Sequence, residues 1–184
     1  MILKVLEYKH MAKIIEERNK VMETLRTSMY LNNDMQKEYY LNTICNRDSK
    51  TRYFALYEKV NVFNNEKSIS QVKDVFIGMG GIETIEWENG RCELSLLIFE
   101  EYRKKGYGKH AVRMFLDNAF NYFGLSNVWL LCYDCNKVGI KFWNMILDNY
   151  KGYKTWIPAA KYYKGKYYGA LYGNISKEDF NGCS

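Results

Sequence analysis

The stretch EEYRKKGYGKHAV (residues 100–112) decides how this chain is read. Two glycines, two positions apart, stand between a bulky apolar run, ELSLLIF (93–99), and a helix-like pattern. Five basic side chains, His110 included, crowd around them. Three readings compete: a backbone cradle for phosphate, a basic patch that grips nucleic acid, and an ordinary strand-to-helix turn with solvated lysines. Glycine lets the main chain approach a ligand because no Cβ stands in the way. A helix N-terminus adds unpaired N–H groups and the positive end of the helix dipole. Neighbouring Arg and Lys side chains can add charge-assisted contacts. The Walker pattern GxxxxGK[ST] does not occur, and the three-glycine dinucleotide fingerprint near the chain start is missing.

The flanks carry the argument outward. Ala111, Phe115, Ala119 and Phe123 recur every four residues, with Val112, Leu116 and Phe120 beside them, which predicts a helix that Gly124 stops. NVWLLCYDC (127–135) reads as a buried strand and NKVGIKFWNMIL (136–147) as a second helix opening at Asn136. Upstream, residues 74–99 form two long strands joined at Glu88-Asn89-Gly90, where Asn-Gly is a strong hairpin signal. RYFALYEK (52–59) alternates like a strand, and NNEKS (64–68) is a predicted turn. ILKVLEY (2–8) is a strand, a helical region follows from about residue 10, and DMQKEYYLNTIC (34–45) is a helix with Asp34 as its expected N-cap. The end, around Gly165, reads as a final hairpin. The order β, α, α, β, β, β, α, β, α, β, β gives one mixed sheet with helices on its faces, an α/β (α+β) fold in a single domain over 1–184.

Composition bounds the function. With 184 residues, 47% hydrophobic and 26% charged, the chain has the make-up of one globular domain with a genuine core. No apolar run approaches the ~20 residues of a membrane helix, and MILKVLEYKHMAK has no secretory pattern, so the expected location is the cytoplasm. A net charge of +6 suits nucleic acid or a small polyanion such as a nucleotide cofactor. Cys132 and Cys135 form a CxxC, but no second pair completes four ligands, so no metal site is expected. His10 and His110 are far apart and are expected at the surface.

Arg103-x-x-Gly106-x-Gly108 resembles the [Q/R]-x-x-G-x-[G/A] acetyl-CoA motif of the GNAT N-acetyltransferases. The segment from Glu93 to Phe120 is similar to that superfamily's fourth strand, pyrophosphate loop and following helix. NVWLLCYDCNKVGIKFW is similar to its fifth strand and cofactor-flanking helix, and AKYYKGKYYGALYGNIS to the last hairpin of the ribosomal-protein N-terminal, diamine and amino-sugar acetyltransferase branch. The resemblance covers about residues 1–180, with its specific motifs in 93–143, and implies about seven strands in a mostly antiparallel sheet.

It also implies roles. Backbone amides of Lys104, Lys105, Gly106, Tyr107, Gly108 and Lys109 would hold the pyrophosphate of coenzyme A, with Arg103 at the motif's first position. Leu96, Leu97 and Ile98 would pair their main chain with the pantetheine arm. Asn136 would reach the pantetheine, and Gly139 takes the small-residue position three later. The reaction implied is direct attack of a neutral amine on the thioester of acetyl-CoA, the cosubstrate. An aliphatic ammonium has a pKa near 10, so a base is useful at neutral pH. Glu93 is the candidate base, with Glu83 and Glu86 in reserve. Two departures stand out. Trp143, counted among the cofactor-side residues, replaces a tyrosine that in many relatives protonates the leaving thiolate; an indole N–H is far too weak an acid. Tyr133 is the alternative donor, or the thiolate leaves without one. LDNYKGY is also longer than the usual link to the sixth strand, with Gly152-Tyr153 as the counterpart of its Gly-Phe.

The acceptor is read as a small amine such as an amino sugar or polyamine, ahead of a protein N-terminus or lysine. Tyrosines at 30, 39, 40, 162, 163, 167 and 168 are its expected aromatic wall. A homodimer is compatible with this reading, and no membrane partner is expected. KYYKGKYYG (161–169) superficially fits a nucleic-acid surface, but it equally fits a hairpin with one polar face, so nucleic acid is disfavoured. A non-catalytic binding module of the same fold is the remaining rival.

Overall fold

Alternating side chains along the chain's β segments produce seven strands, and the computed structural model describes residues 1–64 and 69–183. They are β1 (Ile2–Val5), β2 (Arg52–Asn64), β3 (Ile69–Glu86), β4 (Arg91–Ile98), β5 (Asn127–Tyr133), β6 (Tyr153–Tyr163) and β7 (Lys166–Ser176). The sheet runs β1-β2-β3-β4-β5-β7-β6. All neighbours are antiparallel except β4 and β5, which are parallel and share only three register pairs, Arg91 with Asn127, Cys92 with Val128 and Glu93 with Trp129. The expected α+β architecture and element order are observed, except that a short helix, Lys177–Asn181, follows the last strand and was not expected. The turn expected at 64–68 lies, beyond Asn64, outside the described residues.

The helices are α1 (Met11–Lys20), α2 (Asn33–Tyr39), α3 (Tyr107–Asp117), α4 (Lys137–Asn149) and the short α5 (Lys177–Asn181). The four-residue period of α3 buries Ala111, Val112, Phe115 and Leu116, and the helix continues as a π-turn over Asn118–Tyr122. Gly124 follows at φ +70°, a left-handed conformation that glycine adopts without a Cβ penalty. None of the described helices is long and apolar enough to cross a membrane.

Two layers sandwich the sheet. On one face α3, α4 and α5 close a large apolar core that includes Leu56, Ile77, Leu94, Phe115, Leu130, Trp143, Leu147 and Phe180. On the other, α1 and α2 cover a smaller cluster of Leu6, Met11, Ile14, Ala55, Tyr57 and Met79.

Two local expectations are corrected. The cap of α2 is Asn32, whose Oδ1 accepts from the Met35 amide at 2.9 Å; Asp34 lies inside the first turn, because Asn32, Asn33 and Asp34 can all cap and only one register packs the helix. His10 is buried, not at the surface. The Glu7 amide donates to its Nδ1 at 2.8 Å, so Nε2 carries the proton and donates to the Tyr57 hydroxyl at 2.6 Å. Burial lowers its pKa and keeps it neutral.

Candidate active site

Period-two geometry places Glu93 on the α1/α2 face of β4, because its neighbours Cys92 and Leu94 face the large core. Across the β3–β4 ladder it stands opposite Glu83, and across the parallel pair opposite Trp129. Ser95 and Tyr53, the latter reached through Gly81, share this face. The Glu93 side chain is only 6% exposed. Its Oε1 accepts a hydrogen bond from Arg26, while the buried Oε2 has no hydrogen-bond partner among the described residues. Burial pushes the Glu93 carboxyl above its ordinary value; Arg26 pulls the other way and Glu83 adds to the rise. Of the two reserves, Glu83 belongs to this cluster through its contact with Tyr53. Glu86 is turned to the hairpin, paired with Arg91 at 2.9 Å.

Arg26 belongs to a strap, residues 21–32, that crosses this face and has no periodicity of its own. Three tethers hold it. Lys161 on β6 donates to the carbonyls of Glu23 and Leu25, with its ammonium 5.0 Å from the Tyr133 ring centre and 5.3 Å from that of Tyr163. Burial lowers the pKa of Lys161. Asn19 exchanges two hydrogen bonds with the main chain of Leu31, at 3.0 and 2.9 Å. The Arg26 guanidinium lies 5.9 Å from the Trp129 ring centre. Lys161 reaches inward because β6 slips register between Ile157 and Lys161, at Pro158 and Ala159; an edge strand tolerates this, since the missing Pro N–H breaks no interior ladder.

From Leu94 onward β4 pairs only with β3, and beyond Trp129 β5 pairs only with β7. The two strands therefore splay apart, leaving the β5-facing edge of residues 94–98, which include Leu96, Leu97 and Ile98, without a strand partner. At the end of that edge the chain makes a 3-10 turn, and Arg103 Nε donates back to the Ile98 carbonyl at 2.9 Å. Lys104 and Gly106 then adopt left-handed φ of 60° and 86°, turning the amides of residues 104–109 into the first turn of α3. Gly106 is the N-cap and brings no capping side chain, so the helix's first N–H groups have no intrahelical partner. A Cβ on Gly108 would lie 3.0 Å from the Phe142 ring of α4, so glycine here lets the loop and α4 approach. Lys104, Lys105 and Lys109 are exposed. The Tyr107 hydroxyl bonds Glu58 of β2, which pushes its pKa up to about 12.

On the far side of the splay, Asn136 caps α4: its Oδ1 accepts from the Gly139 amide at 2.8 Å. A Cβ on Gly139 would stand 2.4 Å from Asn136 Nδ2, so the small residue serves this cap. Trp143 is buried in the large core, its ring 4.9 Å from Phe142. Tyr133 shares the face of Glu93, two register steps beyond Leu131 on β5. The structure thus sets the open edge of β4, the glycine loop and the α4 cap around the splay, with Glu93 at its base, where β4 and β5 last pair.

A cavity of about 460 Å³ opens beside this cluster, between α1, α2 and the strap, lined by Arg18, Thr27, Leu31, Gln36, Tyr39 and Asn42 among others. Arg18 Nε is buried without a hydrogen-bond partner among the described residues. Tyr39, which lines this cavity, is pushed up to about 12 by burial first and by Glu83 next, with Arg18 opposing. Of the expected tyrosine wall, the structure brings Tyr39 here. Tyr40 packs instead against Tyr8 at 5.5 Å, and Tyr162 pairs with Tyr167 at 5.1 Å on the exposed hairpin. Arg18, Arg26 and Lys161 were not foreseen, since isolated basic residues carry no local pattern.

This geometry meets its comparison here. A family model described as "Acetyltransferase (GNAT) domain" matches residues 2–141. The chain belongs to this family; it is a GNAT-type N-acetyltransferase, and its acetyl donor is acetyl-CoA. Among solved structures it is similar to the spermidine N-acetyltransferase from Vibrio cholerae in complex with CoA and spermine, at 18% identity and TM-score 0.78, covering 98% of this chain and 97% of that one. A mutant of the Vibrio cholerae spermidine N-acetyltransferase SpeG gives 16% identity and TM-score 0.76 over the same shares. Other mutant forms, of the spermidine/spermine N-acetyltransferase SpeG from that organism, give 16% and 0.75, covering 98% and 96%. At these identities the likeness is one of fold. No curated protein matches the chain.

Proposed function

We propose that this chain acetylates the primary amine of a small molecule, with Glu93 as the general base and the splayed end of β4 as the cofactor groove. The observation that carries the reading is the buried carboxylate of Glu93, with one oxygen held by Arg26 and the other without a hydrogen-bond partner among the described residues. A raised carboxyl pKa brings a base closer to the range in which it can accept a proton from an ammonium, directly or through a water. Lys104 through Lys109 would bind the pyrophosphate by main-chain N–H groups, as a helix N-terminus binds anions. Residues Leu96, Leu97 and Ile98 would hydrogen-bond the pantetheine arm along their free edge. Arg103 acts from behind, fixing the loop through the Ile98 carbonyl. Asn136 and Gly139 set the start of α4, and Trp143 backs it from the core.

In the reaction the amine nitrogen bonds to the thioester carbonyl carbon, the C–S bond breaks, and Glu93 takes the amine's proton. The thiolate leaves and is protonated by Tyr133 or by solvent; Trp143 cannot do it. Residues 1–184 work as one domain, because β7 completes the ladder on β5 and Lys161 of β6 anchors the strap. The similarity in fold to polyamine acetyltransferases and a cavity of about 460 Å³ favour a small amine over a protein. Thiol release from acetyl-CoA across amino sugars, polyamines, amino acids and N-terminal peptides tests this. Turnover of small amines is expected; turnover confined to peptides would overturn it.

A further inference from the structure

We infer that the acceptor amine also carries an anionic group, a carboxylate or a phosphate, and that Arg18 binds it. The inference rests on the small-amine reading above and names the substrate's other end. Buried polar groups in folded proteins are almost always hydrogen-bonded, so an exception asks for an explanation. Arg18 Nε is such an exception: it is buried, and among the described residues the guanidinium makes no hydrogen bond or ion pair. It lines the cavity of about 460 Å³, which has room for a small molecule. Glu38 also lines that cavity, but it is exposed and is not paired with Arg18. A planar guanidinium with several parallel donors matches the paired oxygens of a carboxylate or phosphate.

The charges near the cavity are of both signs. Arg18 and Tyr39 line it, Tyr39 feels the charges of both Arg18 and Glu83, and Glu83 stands opposite Glu93 across the β3–β4 ladder. An ammonium belongs by the two carboxylates, and an anion by the guanidinium. A linear polyamine laid along the same path would bring a second ammonium against Arg18, and like charges repel in a partly desolvated cavity. The remaining named lining groups, Thr27, Gln36 and Asn42, are neutral and can hydrogen-bond a polar linker.

The test compares matched amines on the wild-type enzyme: β-alanine with propylamine for a carboxylate, O-phosphoethanolamine with ethanolamine and glucosamine 6-phosphate with glucosamine for a phosphate, and spermidine as the polycation. At least one anionic member should exceed its neutral partner about tenfold or more in kcat/KM, the scale of one charge-assisted hydrogen bond, and the favoured pair tells carboxylate from phosphate. Arg18→Gln should bring that ratio close to one, mainly through KM, with Arg18→Lys in between. Spermidine or a neutral amine used as well as the best anionic amine overturns the inference, as does an Arg18→Gln variant that keeps the preference. If no small amine is turned over, the catalytic reading fails on its own. The site is then judged by calorimetric titration with the N-acetylated anionic compounds: binding at least tenfold weaker in Arg18→Gln sustains it, and no binding to wild type, or equal affinity, overturns it.

Discussion

The two faces of the sheet are built to different rules. Under α3, α4 and α5 the core is continuous and apolar, from Leu56 and Ile77 through Phe115 to Leu147 and Phe180. Under α1 and α2 the apolar cluster is small, and buried polar groups sit around it: His10, Glu17, Gln36 and Glu93. Several of these are paired. His10 bonds Tyr57, and Glu17 meets Lys13 at 3.0 Å and Lys20 at 2.7 Å. Among the described residues, Glu93 Oε2 and Arg18 Nε are not. The contrast separates stabilising burial, where every contact is satisfied, from buried polarity with a free valence, which is where chemistry is expected.

The contrast can be broken from either side. Glu93→Gln should lower kcat by roughly 10²–10⁴-fold, the range of general-base catalysis, while leaving coenzyme A affinity nearly unchanged; wild-type turnover in single-turnover assays would remove Glu93 from the mechanism. On the other face, Phe115→Ala should cost about 3–5 kcal/mol in denaturant unfolding, because a fully buried ring leaves a cavity. A loss below about 1 kcal/mol would mean that this face is not the stabilising one. Gly106→Val and Gly108→Val should each weaken coenzyme A binding about tenfold or more. The first forces a branched residue to φ +86°, and the second drives a side chain into Phe142. Unaltered affinity by calorimetry would place the cofactor elsewhere.

A subtler probe uses pH. Because the carboxyl of Glu93 is raised in the folded chain, its proton favours folding: that contribution is complete below the ordinary value of 4.5 and is lost as pH climbs through the raised one. Wild type should therefore lose stability relative to Glu93→Gln across that window. The acidic limb of kcat/KM should lie above the ordinary carboxyl value, and Arg26→Ala should move it higher still, because Arg26 is the group that pulls the Glu93 pKa down. A limb that stays in place would show that Arg26 does not tune Glu93.

Much of the fold was legible because its signals are local. The four-residue period of Ala111, Phe115 and Ala119 and the Asn-Gly at Glu88-Asn89-Gly90 each report on a few neighbouring residues, and α3 and the β3–β4 hairpin follow from them. The motif Arg103-x-x-Gly106-x-Gly108 likewise announced its strand-to-helix turn; the left-handed φ of Gly106 is what the structure adds. The strap was not legible. Arg26 meets Glu93 across 67 positions and Lys161 meets Glu23 across 138, through tertiary geometry that leaves no mark on spacing. His10 was misplaced for the same reason, since only the fold brings Tyr57 to its ring. Lys161 was hidden inside an alternating Lys/Tyr hairpin, where a bulge reverses which side chains point inward.

The three-pair seam between β4 and β5 has a thermodynamic consequence. Two antiparallel half-sheets, β1 to β4 and β5-β7-β6, meet through that short parallel ladder and through the helices laid over them. A ligand that fills the splay and binds only the folded chain adds RT ln(1 + [L]/Kd) to its stability, about 2.7 kcal/mol at a hundredfold excess over Kd. The melting temperature should thus climb with coenzyme A concentration, and amide exchange should slow most along residues 94–98 and 130–133. On the proposed reading the cosubstrate would act as a removable eighth strand, closing the sheet for as long as it stays bound.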